Sequence, residues 1–332
     1  MRNGRKIKLF GLAAMMALAA CDEEVPPPAG EDVPPPANRV EEPMACDGEI
    51  HTFTAHPEGV RNRPYQVGEA DDAYVNFTFR SPWQGQRWAL WMKPVIDNDQ
   101  VLHHWLFYQN SNAAGGDLRV SPSVGVHLGG ELVIGWAPGG EAMVFDEGLA
   151  MPFDEGFYNL EVHYNSSDAN AVDASGVTVC VTDKKPEHEV GNSWLGTDGI
   201  LGDSATGTCI PDAQTEPIHI IAVNPHMHTK GRWMKSVINR ADGTQDILHD
   251  AAFNFDSQVT WKKDIVIYPG DSIVTKCYFS EPAIFGTSTN AEMCYLYTKY
   301  WPNGALRDRE LTGIIHGRNT CLGPLISGDD VD

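Results

Sequence analysis

The amino-acid sequence predicts an all-β protein made of antiparallel sandwiches or jelly rolls. Apolar and polar residues alternate over short segments, as expected for β-strands with one buried face. Gly, Pro, Asn and Asp residues separate these segments, and no long stretch repeats with the helical period of about 3.6 residues. The clearest strand segments are YVNFTFR (74–80), RWALWMKPV (87–95), YNLEVHYN (158–165), GVTVCVT (176–182) and DSIVTKCYF (271–279).

The N-terminus predicts an exported lipoprotein. Basic residues precede the short apolar run LFGLAAMMALAA, which is typical of a secretory signal and too short to span a bilayer as a helix. Residues 18–21, LAAC, resemble a bacterial lipobox, so we expect a signal peptide over residues 1–20 and acylation of Cys21. The lipid would anchor the protein to a bacterial membrane, in the periplasm or on the outer-membrane surface. The alternative is an ordinary cleaved signal with an incidental cysteine.

Residues 21–45 are predicted to form an extended tether, because they carry VPPPA twice and cannot form a core. The formal net charge of -21 argues against nucleic acid as a partner and against a surface that binds anionic lipid directly. We therefore expect membrane contact through the lipid anchor only.

The remaining chain is longer than a single core usually organises, which favours two domains. The polar stretch TDKKPEHEVGN (182–192) lacks strand alternation and divides this part almost evenly. It is the expected boundary, with an N-terminal domain over 46–190 and a C-terminal domain over 191–332.

Cysteine usage predicts three disulfides in addition to the acylated Cys21. If pairing stays within domains, Cys46 must bond Cys180. The four cysteines of the second domain allow three connectivities. We favour Cys277 with Cys294, closing one excursion of the chain, and Cys209 with Cys321, joining the ends of the domain.

The stretch VNPHMHTKGRW (223–233) contains a candidate metal site. Residues two apart on a strand share a face, so His226 and His228 would lie side by side while Met227 points to the opposite face. Two surface or hydrogen-bonded histidines are the alternative reading of an isolated HxH pattern.

A second segment, AEMCYLYTKYWP (291–302), offers a third ligand for these histidines. Its alternation places Met293, Tyr295 and Tyr297 on one face. A thioether next to two imidazoles forms a soft ligand set that favours copper, particularly Cu(I). The alternative role for Met293 is core packing.

The first half carries three further candidates, His103 and His104 in VLHHWLFY and His163 in LEVHYNSS. Adjacent residues on a regular strand face opposite sides, so both members of the pair could bind one metal only at a strand end or a bulge. Together they predict a site of three imidazoles, although each alone is consistent with a buried structural histidine.

These motifs, HH, VHY, HxHxxG[KR] and EMCxxYxxY[YW], occur in an order that resembles the copper type II, ascorbate-dependent monooxygenases. The resemblance covers about residues 46–325 and implies two tandem jelly-roll domains that face each other across a cleft, with two coppers per chain. It implies the same three disulfides. It also assigns His103, His104 and His163 to an electron-transfer copper, and His226, His228 and Met293 to a catalytic copper that binds dioxygen.

The resemblance implies hydroxylation of a C–H bond of a small organic substrate, with O2 and with ascorbate or another one-electron reductant. Its peptide-amidating branch binds a substrate carboxylate through an arginine two residues before the HxH. Asn224 occupies that position here, which makes a peptide terminus a poor expectation, whereas Tyr297 matches the assisting tyrosine. Tyr295 and Glu161 are expected to reshape the cleft.

Two other functions remain consistent with the sequence. One is a copper-binding lipoprotein without turnover, serving in sequestration or delivery, which needs the same six ligands. The other is a jelly-roll protein that acts on glycans, for which nine tryptophans could line a sugar cleft.

Overall fold

A computed structural model describes residues 44–110, 116–123, 130–211, 216–306 and 320–322. The predictions about the signal peptide, the acylation of Cys21 and nearly all of the tether lie outside these residues. The described residues form strands joined by turns and loops and include no helix, which confirms the all-β class. It follows that these ranges hold no helix long and apolar enough to cross a membrane.

The first half of the chain contains strands β1 to β13. Their bounds are β1 Glu49–Thr54, β2 Tyr65–Gln66, β3 Ala70–Arg80, β4 Arg87–Val95, β5 Leu102–Asn110, β6 Arg119–Pro122, β7 Glu131–Trp136, β8 Met143–Val144, β9 Leu149–Phe153, β10 Phe157–Ser166, β11 Val172–Asp173, β12 Gly176–Thr182 and β13 His188–Glu189.

The second half contains strands β14 to β22. Their bounds are β14 Gly191–Thr197, β15 Leu201–Cys209, β16 Ile218–His226, β17 Gly231–Asn239, β18 Gln245–Ala252, β19 Trp261–Ile267, β20 Ser272–Ile284, β21 Cys294–Trp301 and β22 Thr320–Leu322.

The strands of the two halves belong to separate sheets. In the first half, one sheet has the order β1-β12-β4-β9-β13 with β8 on β4, a second has the order β6-β3-β10-β5-β7, and β11 pairs with β2. In the second half the orders are β19-β16-β21-β14-β22 and β15-β20-β17-β18. All these strand pairings are antiparallel except β13 with β9 and β14 with β22. The polar stretch 182–192 thus includes the short strand β13, too brief to show as alternation in the sequence.

Each half has its own hydrophobic core. Strand β10 shows how the sequence builds the first one: Leu160 and Val162 are fully buried in it, while the alternate residues Glu161 and His163 face the opposite side of the sheet. The second core lies between the two sheets of the second half and contains Met227. A third, smaller cluster joins the halves and consists of Tyr108, Leu132, Trp194, Met293 and Tyr295.

Three disulfides reinforce this arrangement, with the pairings expected from the sequence. Cys46 bonds Cys180 and ties the chain before β1 to β12. Cys209–Cys321 and Cys277–Cys294 each connect the two sheets of the second half. Such bonds typically contribute about 2–4 kcal/mol each and indicate an oxidising compartment, in agreement with export.

Candidate metal centres

Two neighbouring strands of the first half bring His103, His104 and His163 together. His163 pairs with His104 in the β10–β5 ladder, and the following pair is Tyr164 with Leu102. His103 is therefore the extra residue of a β-bulge, which lets two consecutive side chains turn towards one point. The ring centroids are 4.8 to 5.2 Å apart, and one ligand atom from each residue lies within 4.8 Å of the others.

In this cluster Nδ1 is the ring nitrogen left for a metal. Nδ1 of His103 lies 3.0 Å from Nδ1 of His104. Nε2 of His163 is 2.6 Å from Oδ1 of Asp72, and Nδ1 of His163 is buried with no hydrogen-bond partner among the described residues. A carboxylate behind a histidine fixes the tautomer and makes the other ring nitrogen a better ligand. The buried, unpartnered nitrogen fits a metal ion at this position.

Burial keeps these imidazoles neutral. Desolvation lowers the pKa of His163 to about 4 and the pKa of His104 well below its usual value, and neighbouring histidines lower both further. The Asp72 carboxylate raises the pKa of His163 but does not outweigh burial. Neutral imidazole is the form that binds metal ions, so the cluster is in its ligating state near neutral pH.

His226 and His228 meet at the end of a strand of the second half. Strand β16 ends at His226, and the turn that follows places the two rings 5.3 Å apart and perpendicular to each other. The turn, rather than a continued strand repeat, therefore brings them together. Met227 between them is fully buried in the core of the second half.

In this pair Nε2 is the ring nitrogen left for a metal. Nδ1 of His226 is 2.8 Å from Oε1 of Gln258, and Nδ1 of His228 is 3.0 Å from the carbonyl oxygen of Ala291, so both Nδ1–H groups donate. Burial lowers the pKa of His226 to about 3, with a further contribution from His228. These contacts fix both rings in the neutral tautomer that offers Nε2.

Glu292 positions Met293 next to His226 and His228. The fully buried Glu292 carboxylate accepts hydrogen bonds from the backbone N–H groups of His228 (2.8 Å), Lys230 (2.7 Å) and Met293 (3.3 Å). It therefore holds the turn after β16 against the segment that enters β21. Met293 itself is 4% exposed and lies on the wall of the same pocket as the two histidines.

Residues from both candidate ligand sets line one pocket between the halves. His104 lines this pocket together with His226, His228 and Met293. Phe255 lies between the sets, with its ring 4.9 Å from that of His103 and 6.4 Å from that of His228. The rest of the wall is mostly aromatic or apolar and consists of Tyr74, Leu106, Tyr108, Trp194, Thr287, Thr289 and Tyr297.

The three residues expected to contact substrate take different positions. Tyr297 lines the pocket and stacks on His226 with 5.2 Å between ring centroids. Asn224 pairs with Tyr297 across the ladder and donates to the carbonyl oxygen of Gln258 at 3.0 Å, so it lies beside Tyr297 and does not line this pocket. Tyr295 is fully buried, its hydroxyl donates to Asp198, and it does not line the pocket.

Sequence patterns alone do not identify the residues that orient the ligands. Glu292 directly precedes Met293 in the EMC motif, and this adjacency could have indicated a residue that positions the methionine. Asp72 and Gln258 lie 91 and 32 residues from the histidines they contact and have no local signal. Tyr74 was also missed, although its ring stacks on that of His163 at 4.2 Å.

The donor atoms fit copper in both places. Three imidazole nitrogens suit a metal that alternates between Cu(I) and Cu(II), and two imidazoles with a thioether favour Cu(I). Zinc sites rarely use thioether, and calcium or magnesium sites use oxygen ligands.

Comparison with known proteins finds similarity to monooxygenases. Residues 202–309, which include His226, His228 and Met293, match the family model described as copper type II ascorbate-dependent monooxygenase, C-terminal domain. The chain is 27% identical to human DBH-like monooxygenase protein 1 over 73% of this chain and 46% of that protein. It is 27% identical to bovine dopamine beta-hydroxylase over 64% of this chain and 41% of that protein. It is 24% identical to Xenopus laevis peptidyl-glycine alpha-amidating monooxygenase A over 70% of this chain and 27% of that protein.

The chain spans about half the length, or less, of the curated relatives it matches. The residues matched by the family model include the second ligand set, and the relatives are named for different substrates. Residues 202–309 are thus similar to the C-terminal domain of copper type II, ascorbate-dependent monooxygenases, and the chain as a whole is similar to proteins named as monooxygenases or hydroxylases.

Proposed function

We propose that this protein is a dicopper monooxygenase that hydroxylates a C–H bond of a small organic substrate, with O2 and with ascorbate or another one-electron reductant. The observation that carries this proposal is the single pocket faced by ligands from both halves of the chain. A protein that only stores copper has no need to bring residues of two different ligand sets to one shared pocket.

In this proposal His103, His104 and His163 hold the electron-transfer copper through Nδ1. His226, His228 and Met293 hold the catalytic copper through Nε2 and the thioether sulfur. When bound, copper supplies one-electron redox chemistry and the activation of dioxygen.

The chain's own residues position ligands and exclude water. Asp72, Gln258 and the Ala291 carbonyl fix the histidine tautomers, and Glu292 holds Met293 against the turn that carries His228. Leu106, Trp194 and Phe255 make the wall of the pocket apolar, which strengthens electrostatic interactions inside it. Tyr297 stacks on His226 and is assigned to substrate contact, with Asn224 and Tyr295 as its neighbours on the same face of the sheet.

Architecture and location are part of the same proposal. The two halves correspond to jelly-roll domains over residues 46–190 and 191–332, which face each other across the pocket. Residues 1–20 are a signal peptide, Cys21 carries the lipid, and residues 21–45 hold the enzyme away from a bacterial membrane. The six disulfide-bonded cysteines support export, and the net charge of -21 argues against nucleic acid as a partner.

Copper stoichiometry tests the ligand assignment. We expect two coppers in the reconstituted chain, one in His163→Ala, and weakened Cu(I) binding at the second site in Met293→Ala. Unchanged stoichiometry and Cu(I) affinity in both variants would refute it. Turnover is tested by ascorbate-dependent oxygen consumption coupled to a hydroxylated product. Two coppers without turnover across a broad substrate panel would identify a copper-binding protein instead, and an activity that persists without copper would favour a glycan-acting protein.

A further inference from the structure

A second pocket between the halves shares Tyr297 with the first and is not lined by any histidine. Its enclosed volume is about 40 Å³, and it opens to solvent, so a ligand would place one polar end inside and extend outwards. Strand β7 and Met143 contribute apolar side chains, and the second half contributes both apolar and polar ones. The residues that decide its chemistry are Leu132, Ile134, Asn192, Asn224, Tyr297 and Lys299.

Lys299 places a cation in this pocket. It is 7% exposed, and its Nζ donates one hydrogen bond, to the carbonyl oxygen of Val133. Val133 is the extra residue of a bulge, because the β5–β7 ladder passes directly from Ile134 to Leu132. Among the described residues, Lys299 has no other hydrogen bond and no ion pair, so two of its three donors have no protein partner.

The side-chain oxygen of Asn192, next to Lys299, is a hydrogen-bond acceptor without a partner among the described residues. It lies opposite Lys299 in the β14–β21 ladder and is 1% exposed. Its Nδ2 donates to the carbonyl oxygen of Leu132 at 3.0 Å, but its Oδ1 has no partner among the described residues. A ligand that fits this pocket would therefore accept a hydrogen bond from the Lys299 ammonium and donate one to the Asn192 side-chain oxygen.

A buried, unpaired ammonium is costly to the folded state. Desolvation lowers the pKa of Lys299 to about 7, although the carboxylate of Glu131 acts in the opposite direction. An anion bound next to Nζ would remove most of that cost, because a charge-assisted hydrogen bond is about twice as strong as a neutral one. An acidic ligand is therefore favoured over a neutral or basic one.

We propose that this pocket binds a small organic acid, whose carboxylate contacts Lys299, whose neighbouring hydroxyl or N–H donates to Asn192, and whose apolar body packs on Leu132 and Ile134. This assignment rests on the proposed monooxygenase function, since Tyr297 lines both pockets and would connect the anchored acid to the copper pocket. Asn224 in place of an arginine made a substrate carboxylate a poor expectation from the sequence. The cation that would bind the carboxylate here is Lys299, which lies on β21.

Binding of matched probes tests the proposal on the full chain by ligand-observed NMR titration, without any need for turnover. The probes are mandelate, its neutral amide mandelamide, and phenylacetate, which lacks the hydroxyl. We expect mandelate to bind on the order of tenfold tighter than mandelamide, and a few-fold tighter than phenylacetate. Lys299→Met should abolish the preference for the acid over the amide, whereas Lys299→Arg and the exposed-surface control Lys184→Met should retain it.

Equal binding of mandelate and mandelamide to the unaltered chain would overturn the carboxylate site, whether or not the Lys299 variants fold. A preference that persists in Lys299→Met would also overturn it and place the acid elsewhere. Equal binding of mandelate and phenylacetate would overturn the role of Asn192. Because none of these measurements requires copper, failure here is separate from failure of the copper stoichiometry test.

Discussion

One oxygen atom of Asp72 accepts hydrogen bonds from both halves of the protein. Oδ1 lies 2.6 Å from Nε2 of His163 in the first half and 2.7 Å from the hydroxyl of Thr289 in the second. The carbonyl oxygen of Thr289 in turn accepts from Thr229, next to His228. The carboxylate that orients a ligand of one centre is thus also attached to the loop that supports the other.

Replacing Asp72 with Asn tests its role in the first centre. The amide cannot act as a charged acceptor for His163, so copper affinity at the three-histidine centre should fall by about 10- to 100-fold. Affinity at the methionine centre should change much less. Cu(I) competition titrations that resolve the two sites measure this difference, and an equal loss at both sites would contradict it.

The Thr289→Val substitution tests the contact between the halves. It removes the hydroxyl but keeps the volume, so we expect a loss of about 1 kcal/mol and a longer mean distance between spin labels placed on the two halves. Thr287→Val is the matched control, because Thr287 lines the same pocket whereas Thr289 donates to Asp72. An unchanged distance distribution in Thr289→Val would show that other contacts alone hold the halves together.

Glu292→Gln should weaken the second centre. The carboxylate serves three backbone donors, and the amide turns an N–H group towards at least one of them. We expect the free energy of unfolding to fall by about 2 kcal/mol, with lower Cu(I) affinity at the methionine centre. Glu147→Gln in the exposed turn before β9 is the control. Normal copper affinity in Glu292→Gln would show that Met293 is positioned without this carboxylate.

Lys299 should leave a signature in the pH dependence of stability. Its folded-state pKa of about 7 lies below its ordinary value of 10.5, so between these values the unfolded chain binds more protons and stability rises with pH. Below about pH 7 the full cost of the buried charge is present.

Unfolding of Lys299→Met and of the unaltered chain, measured from pH 6 to pH 9, isolates this contribution. The stability difference between the two proteins should change by up to about 1.4 kcal/mol per pH unit above pH 7, in favour of the unaltered chain. A difference that does not vary with pH would show that the pKa of Lys299 is not shifted.

The sequence by itself determined the all-β class and supplied the candidate residues of both ligand sets, and the disulfide pairing favoured from it agrees with the structure. Strand alternation is a local property, so β4 and β12 have the bounds that alternation predicted. The adjacent pair His103 and His104 also implies a bulge or a strand end, because consecutive residues on a regular strand cannot share a face.

Only the tertiary structure decided how the ligands are held and what surrounds them. Which ring nitrogen is free depends on Asp72, Gln258 and Ala291, which are distant in sequence from the histidines they orient. The burial of Tyr295 and the unpaired Lys299 likewise follow from how the halves pack, since both residues lie in the same alternating segment as Tyr297. Periodicity determines which residues share a face of a strand, whereas the surface packed against that face determines their chemistry.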